Sequence, residues 1–92
     1  MNNTKAKNLK AIANDISEGF ITVNPIFLKS FDENALKSLY RAIERKQAEI
    51  RAEPFPYNDT MLIRKRNIKL QRLYGSMTVI KNYARERRIL LF

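Results

Sequence analysis

The sequence predicts a small all-α domain, a helical hairpin with an N-terminal helix packed against it. Apolar residues recur at three- and four-residue spacing along most of the chain, which is the period of an amphipathic helix. Gly and Pro are scarce, with two and three residues among 92, so they mark a few breaks between helices rather than the many turns of an all-β fold. The length fits one domain, residues 1–92.

The first helix is predicted over about residues 5–18. Its apolar positions share one face: Leu9, Ile12, Ala13 and Ile16. Thr4 is the candidate N-cap, and Gly19 follows in the position just past the helix end that favours glycine. A β-prone run too short to build a sheet comes next, and then Asn24 and Pro25 predict the cap and first residue of one further helical turn.

The second helix is predicted over residues 31–52. Ser30 and Glu33 have the spacing of a capping box, in which each side chain accepts the other residue's amide. Its apolar stripe contains a single polar member: Leu36, Leu39, Tyr40, Ile43, Gln47 and Ile50. Pro54 and Pro56 end the helix, because proline lacks an amide and disfavours helical backbone before it, and they form the hinge of the hairpin.

The third helix is predicted over residues 59–91, with Asp59 among its caps and only Gly75 interrupting it. One face is assigned to the core: Ile63, Leu70, Leu73, Tyr74, Met77, Ile80 and Ala84. This helix outruns the second, so helix one or another molecule must cover its end. Arg66 falls opposite Gln47, and either a polar contact fixes the register there or both side chains reach solvent.

Several classes of function are excluded by composition. The chain has no Cys and no His, so disulfides, the usual zinc and haem ligands, a thiolate nucleophile and an imidazole base are all absent. The carboxylate pairs Glu49 with Glu53 and Asp15 with Glu18 lack the partners of a catalytic constellation, and Arg45 stands one turn before Glu49 as an ordinary ion-pair partner. The sequence predicts no enzyme, no cofactor and no metal.

The sequence also predicts a cytoplasmic protein with no membrane partner. The first fifteen residues alternate Lys and Asn with single apolar residues and contain no continuous apolar segment of a secretory signal. No run of eighteen apolar residues, the length that a spanning helix requires, occurs anywhere.

Positive charge is concentrated in the last third of the chain. The net charge is +9 overall, and residues 61–92 alone carry nine basic side chains against the single acid Glu86. Five cations fall within the nine residues 64–72, a density suited to following a phosphate backbone. The predicted nucleic-acid contacts are Arg64, Lys65, Lys69, Arg72, Lys81, Arg85 and Arg88. An acidic protein surface, a membrane surface or plain solubility are the other interpretations of such a run.

A second, sparser apolar line on the opposite face of the third helix is the predicted docking surface for a protein partner: Ile68, Val79, Tyr83 and Leu90. Apolar residues scattered over a surface are the equally common alternative. The terminal apolar residues 89–92 are predicted to be buried, either against the first helix or in a partner. No sequence signal specifies an oligomeric state or distinguishes DNA from RNA.

The chain resembles the small helical accessory subunits of archaeal replication machinery, in particular the small basic subunit of the crenarchaeal B-family DNA polymerase holoenzyme. The shared features are its size, its Ile-, Lys- and Arg-rich composition without Cys, and its long basic final helix. The resemblance covers the whole chain but no aligned motif. It implies a non-catalytic subunit that holds a polymerase on primer-template DNA. The alternative is a helical adaptor or regulator that binds an acidic protein surface and no nucleic acid.

Overall fold

Four α-helices make up the chain, and three of them form a bundle. The computed structural model describes the backbone of residues 2–91 and the side chains of residues 8–91. The helices are α1 (Asn2–Glu18), α2 (Pro25–Leu28), α3 (Glu33–Ala52) and α4 (Thr60–Glu86). The chain is 74% helical, and the described residues contain no strand, which confirms the all-α prediction. The helices α1, α3 and α4 each pack on the other two, while the short α2 packs on α4.

The first helix begins earlier than predicted and ends where predicted. Because α1 starts at Asn2, Thr4 lies inside the helix, and its assignment as the N-cap is wrong. At the other end Gly19 has a φ of 85°, and its amide donates to the Ile16 carbonyl at 3.1 Å while the Phe20 amide donates to the Asp15 carbonyl at 2.8 Å. This pair of bonds, with glycine in left-handed backbone, is a Schellman cap.

The caps of the next two helices are carried by Asn24 and Asp32. The Asn24 side chain accepts the Phe27 amide at 2.8 Å and begins α2 as predicted. The predicted capping box at Ser30 is wrong, because Asp32 is the N-cap and its Oδ1 accepts the Ala35 amide at 2.7 Å. The helix α3 therefore starts at Glu33, two residues later than predicted. An ionised carboxylate at a helix N-terminus also interacts favourably with the helix dipole, which a serine hydroxyl does not.

The α3 stripe is buried as predicted, and the helix ends at Ala52, two residues before Pro54. All six positions of the stripe are buried: Leu36, Leu39, Tyr40, Ile43, Gln47 and Ile50. After the hinge, the Asp59 carboxylate accepts the Leu62 amide at 3.1 Å and begins α4.

The buried face of α4 is rotated away from the predicted one. Its buried residues are Leu73, Ser76, Ile80, Tyr83 and Ala84. Of the predicted core residues, Ile63, Leu70 and Met77 are only half-buried, and Tyr74 is 68% exposed. The rotation arises because α4 packs on α1 as well as on α3, and the sector that faces α1 is lined partly by polar side chains, which an apolar pattern does not register.

Of the two alternatives left open for Gln47 and Arg66, the polar contact is not observed among the described side chains. Gln47 is buried, but the Arg66 guanidinium lies over the Phe55 ring, with Cζ 5.2 Å from the ring centroid. The buried Arg66 Nε has no hydrogen-bond partner. The hinge aromatic therefore shields this cation by a cation–π contact.

The last helix ends at Glu86, five residues before its predicted end. Arg88 adopts left-handed backbone, with a φ of 58°, and the Ile89 amide donates to the Ala84 carbonyl at 2.8 Å. This second Schellman cap turns the chain back, so that Leu91 is buried while Leu90 stays 76% exposed. The short α2 also packs on α4, a contact that the sequence did not predict. Phe92 lies outside the described residues.

Leu91→Ala is expected to lower the free energy of unfolding by about 1.5 kcal/mol, the lower range for a buried leucine, because Leu91 joins the same core cluster as Leu9 and Ile16. Leu90→Ala is the matched control and should leave stability within about 0.5 kcal/mol. Urea unfolding followed by far-UV circular dichroism measures both. Equal stability of the two variants would contradict burial of the tail in the domain's own core.

Candidate nucleic-acid interface

Three of the predicted contacts come together at the C-terminal end of α4. Lys81 and Arg85 stand one helical turn apart, and the cap that follows the helix brings Arg88 to the same place. The three side chains line a surface groove of about 460 Å³, with apolar residues of the tail as its other wall. Arg85 Nη2 donates to Asn82 Oδ1 at 2.8 Å, which orients its guanidinium. No acidic residue lines the groove.

Arg64 lies far from this group but on the same outer face of α4. At about 100° per residue, Arg64, Lys81 and Arg85 fall within about 100° of one another around the helix axis. At 1.5 Å per residue, Arg64 and Arg85 are about 32 Å apart along it. Between them α4 carries no acidic residue. The outer face is therefore a positive ridge with cations at both ends and neutral side chains between them.

Two of the predicted contacts, Lys69 and Arg72, are engaged with α1. Arg72 Nη1 donates to the Ser17 carbonyl oxygen at 2.9 Å, which caps the C-terminal end of α1. Lys69 Nζ lies 3.2 Å from Glu18 Oε2. Both cations thus neutralise the negative end of α1. Both cations therefore have a structural role, and their contact with nucleic acid stays a prediction. The exposed Lys65 lies on their side of the helix rather than on the outer face.

Gly19 provides the space for the Arg72 side chain. A Cβ atom at Gly19 would lie 2.9 Å from Arg72 Cζ and 3.0 Å from its Nη2. The guanidinium therefore lies flat against a backbone that has no side chain. One glycine meets two requirements here, the left-handed φ of the α1 cap and the close approach of the arginine.

The predicted protein-docking stripe is only partly on the surface. Ile68 is 37% exposed and Leu90 is well exposed, but Tyr83 is only 8% exposed and is part of the core. Val79 is half-buried and packs on the same core. The Arg87 guanidinium covers the remaining face of Tyr83, with Cζ 3.7 Å from the ring centroid. Burial of Tyr83 removes it from the predicted docking surface, whereas the half-buried Val79 stays a predicted docking residue.

Exposed apolar side chains also cluster at the hinge, which sequence reasoning treated only as a helix breaker. Tyr57 and Met61 are largely exposed, and Phe55 and Leu62 are partly exposed. The Phe55 and Tyr57 rings are in tilted contact, with centroids 4.9 Å apart. The sequence signal that could have indicated this cluster was the presence of aromatic residues beside two prolines and before a run of cations.

The acidic residues are mostly committed to pairs or caps. Glu49 Oε1 lies 3.6 Å from Lys46 Nζ, so the predicted partner Arg45 is wrong. Glu33 pairs with Lys37 at 3.4 Å. Within the described part of the chain, no three Cys, His, Asp or Glu side chains converge as metal ligands, and no helix is both long and apolar enough to cross a membrane.

Comparison of the chain with protein family models, with curated proteins and with solved structures gives no match.

Proposed function

We propose that this protein is a non-enzymatic accessory protein that binds the sugar-phosphate backbone of nucleic acid through α4. The observation that carries the proposal is the convergence of Lys81, Arg85 and Arg88 on a groove without an acidic residue. Together with Arg64 they form the outer ridge of α4. Backbone contacts of this kind position a protein without reading sequence.

The spacing of these cations supports an extended ligand. About 32 Å separates Arg64 from Arg85 along the helix, close to the ~34 Å between equivalent major-groove positions on B-DNA one turn apart. A compact acidic ligand would reach only one end of the ridge. A polyanion of regular charge spacing contacts both ends.

The second part of the proposal is docking on a larger protein, for which the resemblance to replication accessory subunits suggests a DNA polymerase. Of the predicted docking residues, Ile68 and Leu90 remain exposed and available for such a contact. Leu90→Ala, neutral for stability, is the variant in which partner affinity is lost while the fold is retained.

The test is the salt dependence of binding to duplex DNA, single-stranded DNA and RNA of equal length. Four phosphate contacts predict a slope of log K against log salt of about −3.6 for duplex DNA and about −2.8 for a single strand, with no preference for sequence. The Lys81→Gln/Arg85→Gln variant should reduce the duplex slope by about 1.8. Electrophoretic mobility or fluorescence anisotropy at four salt concentrations gives both slopes.

The matched control is Lys29→Gln/Arg51→Gln, which removes the same charge from exposed positions outside α4. It should lower affinity slightly and leave the slope unchanged. Two outcomes contradict the proposal: equal effects of the two double variants, or tight binding without salt dependence. Absence of binding at low salt would favour the acidic protein partner instead.

A further inference from the structure

A second basic site lies between α1 and α3, where no residue of α4 contributes. The two helices enclose a groove of about 450 Å³. Its cations are Lys10 from α1 and Arg41, Arg45 and Lys46 from α3. Lys10 is more than thirty residues from the other three in sequence, and the packing of α1 on α3 brings them to one cleft.

The charge of this groove is not balanced by the protein. Among the described residues that line the groove, four cations face one acid, Glu49, and that acid is paired with Lys46. Arg41 and Arg45 are exposed and form no ion pair with any residue from 8 to 91. Like charges one helical turn apart destabilise a helix. An anion between them removes this repulsion.

The shape and the donors of the groove favour a phosphoryl group. Two guanidinium groups on one wall present planar pairs of N–H donors that match phosphate oxygens, while Lys10 adds a point charge from the other wall. Ser38 adds a hydroxyl to the lining of the groove. Ala13 and Ala42 also line the groove. Because their side chains are short, a ligand can reach the base of the groove.

We propose that this groove binds a phosphoryl anion, supplied either by a soluble phosphate ester or by a nucleic-acid backbone. A volume of about 450 Å³ is that of a small-ligand site. A protein–protein interface instead buries a broad area of surface on each partner. The inference is independent of the proposed role of α4, because the two sites share no residue.

Inorganic triphosphate is the probe for this site. Titration at constant ionic strength in chloride should give one bound triphosphate per chain. At about 100 times the dissociation constant, the midpoint of thermal unfolding should rise by about 10 °C. Arg41→Gln/Arg45→Gln should weaken binding at least tenfold while leaving the ligand-free melting temperature unchanged or slightly higher, since it removes a repulsion between exposed side chains.

Lys29→Gln/Arg51→Gln is the matched control, with the same loss of charge at exposed positions outside both basic grooves, and it should bind triphosphate as the unaltered chain does. An eight-nucleotide single strand distinguishes the two sources of phosphate. If the groove holds a backbone, Arg41→Gln/Arg45→Gln also reduces the salt slope for this strand. If the ligand is a soluble ester, only triphosphate binding falls.

Three results would overturn the inference: no triphosphate binding, equal weakening by both double variants, or displacement of triphosphate by a glutamate peptide of equal charge at equal concentration. None of these results tests the proposed function of α4. That function is tested by the effect of Lys81→Gln/Arg85→Gln on the salt dependence of binding to duplex DNA. The two proposals therefore fail separately.

Discussion

Leu73→Ala is expected to lower the free energy of unfolding by about 2 to 5 kcal/mol, whereas Tyr74→Ala one position later should change it by no more than about 0.5 kcal/mol. Leu73 is fully buried, and Tyr74 is largely exposed. Removing the leucine leaves a cavity between three helices that cannot fully collapse. Removing the tyrosine leaves none.

The pair tests the rotation of α4 directly, because the apolar pattern assigned both residues to the core. Urea unfolding of both variants and the unaltered chain gives the two differences. A domain of this size has little stability to spare, so a Leu73→Ala chain already unfolded without denaturant also meets the expectation. Comparable losses in both variants would show that the predicted face, rather than the observed one, is buried.

Gly19→Ala is expected to destabilise the domain by about 2 to 4 kcal/mol. The alanine must hold a left-handed φ of 85°, and its Cβ displaces the Arg72 guanidinium from the Ser17 carbonyl. Each kcal/mol lowers the melting temperature of a domain this small by about 4 °C or more. The expected loss is therefore at least about 8 °C.

Gly75→Ala is the opposite control, since Gly75 lies inside α4 and a Cβ there would have no neighbour within 4 Å. It should stabilise the domain by about 0.5 to 1 kcal/mol, the usual advantage of alanine over glycine in a helix interior. Thermal unfolding of the two variants in parallel measures the sign of the stability change in each. A Gly19→Ala variant as stable as the unaltered chain would rule out the cap and the arginine contact together.

Prediction from sequence was most successful for α3. That helix has one apolar stripe, and Gln47 was the only polar residue in it, so hydrophobic spacing alone located its buried face. The prediction for α4 was less accurate because its buried sector includes Ser76 and adjoins Lys69 and Arg72. Cations that cap another helix have the same sequence signature as cations that face solvent.

The end of α4 was mispredicted for a local reason. Left-handed backbone at a helix cap is signalled by Gly or Asn, and here Arg88 adopts it. Nothing in the pattern of residues 84–92 distinguishes this end from continued helix, and burial of Leu91 in the core determines it instead.

The charge asymmetry of the sequence correctly indicated cations on α4 but missed the groove between α1 and α3. Residues 1–60 are nearly neutral as a whole, at net +1, so a sum over the segment conceals a local excess. Lys10 and Arg41 become neighbours only when α1 packs on α3. Such a cluster is a property of the tertiary fold and has no signature in local sequence.

The contact between Arg72 and Ser17 has a consequence for the order in which the domain assembles. It joins residues 55 positions apart, whereas the α3–α4 hairpin closes through a hinge of seven residues, 53–59. Closing the longer loop costs more chain entropy, so it follows the shorter one. We therefore expect the hairpin to form first and α1 to dock on it afterwards. The arginine contact is therefore expected to form late in folding, and its loss should weaken the docking of α1 without removing the core contacts of Leu9 and Ile16.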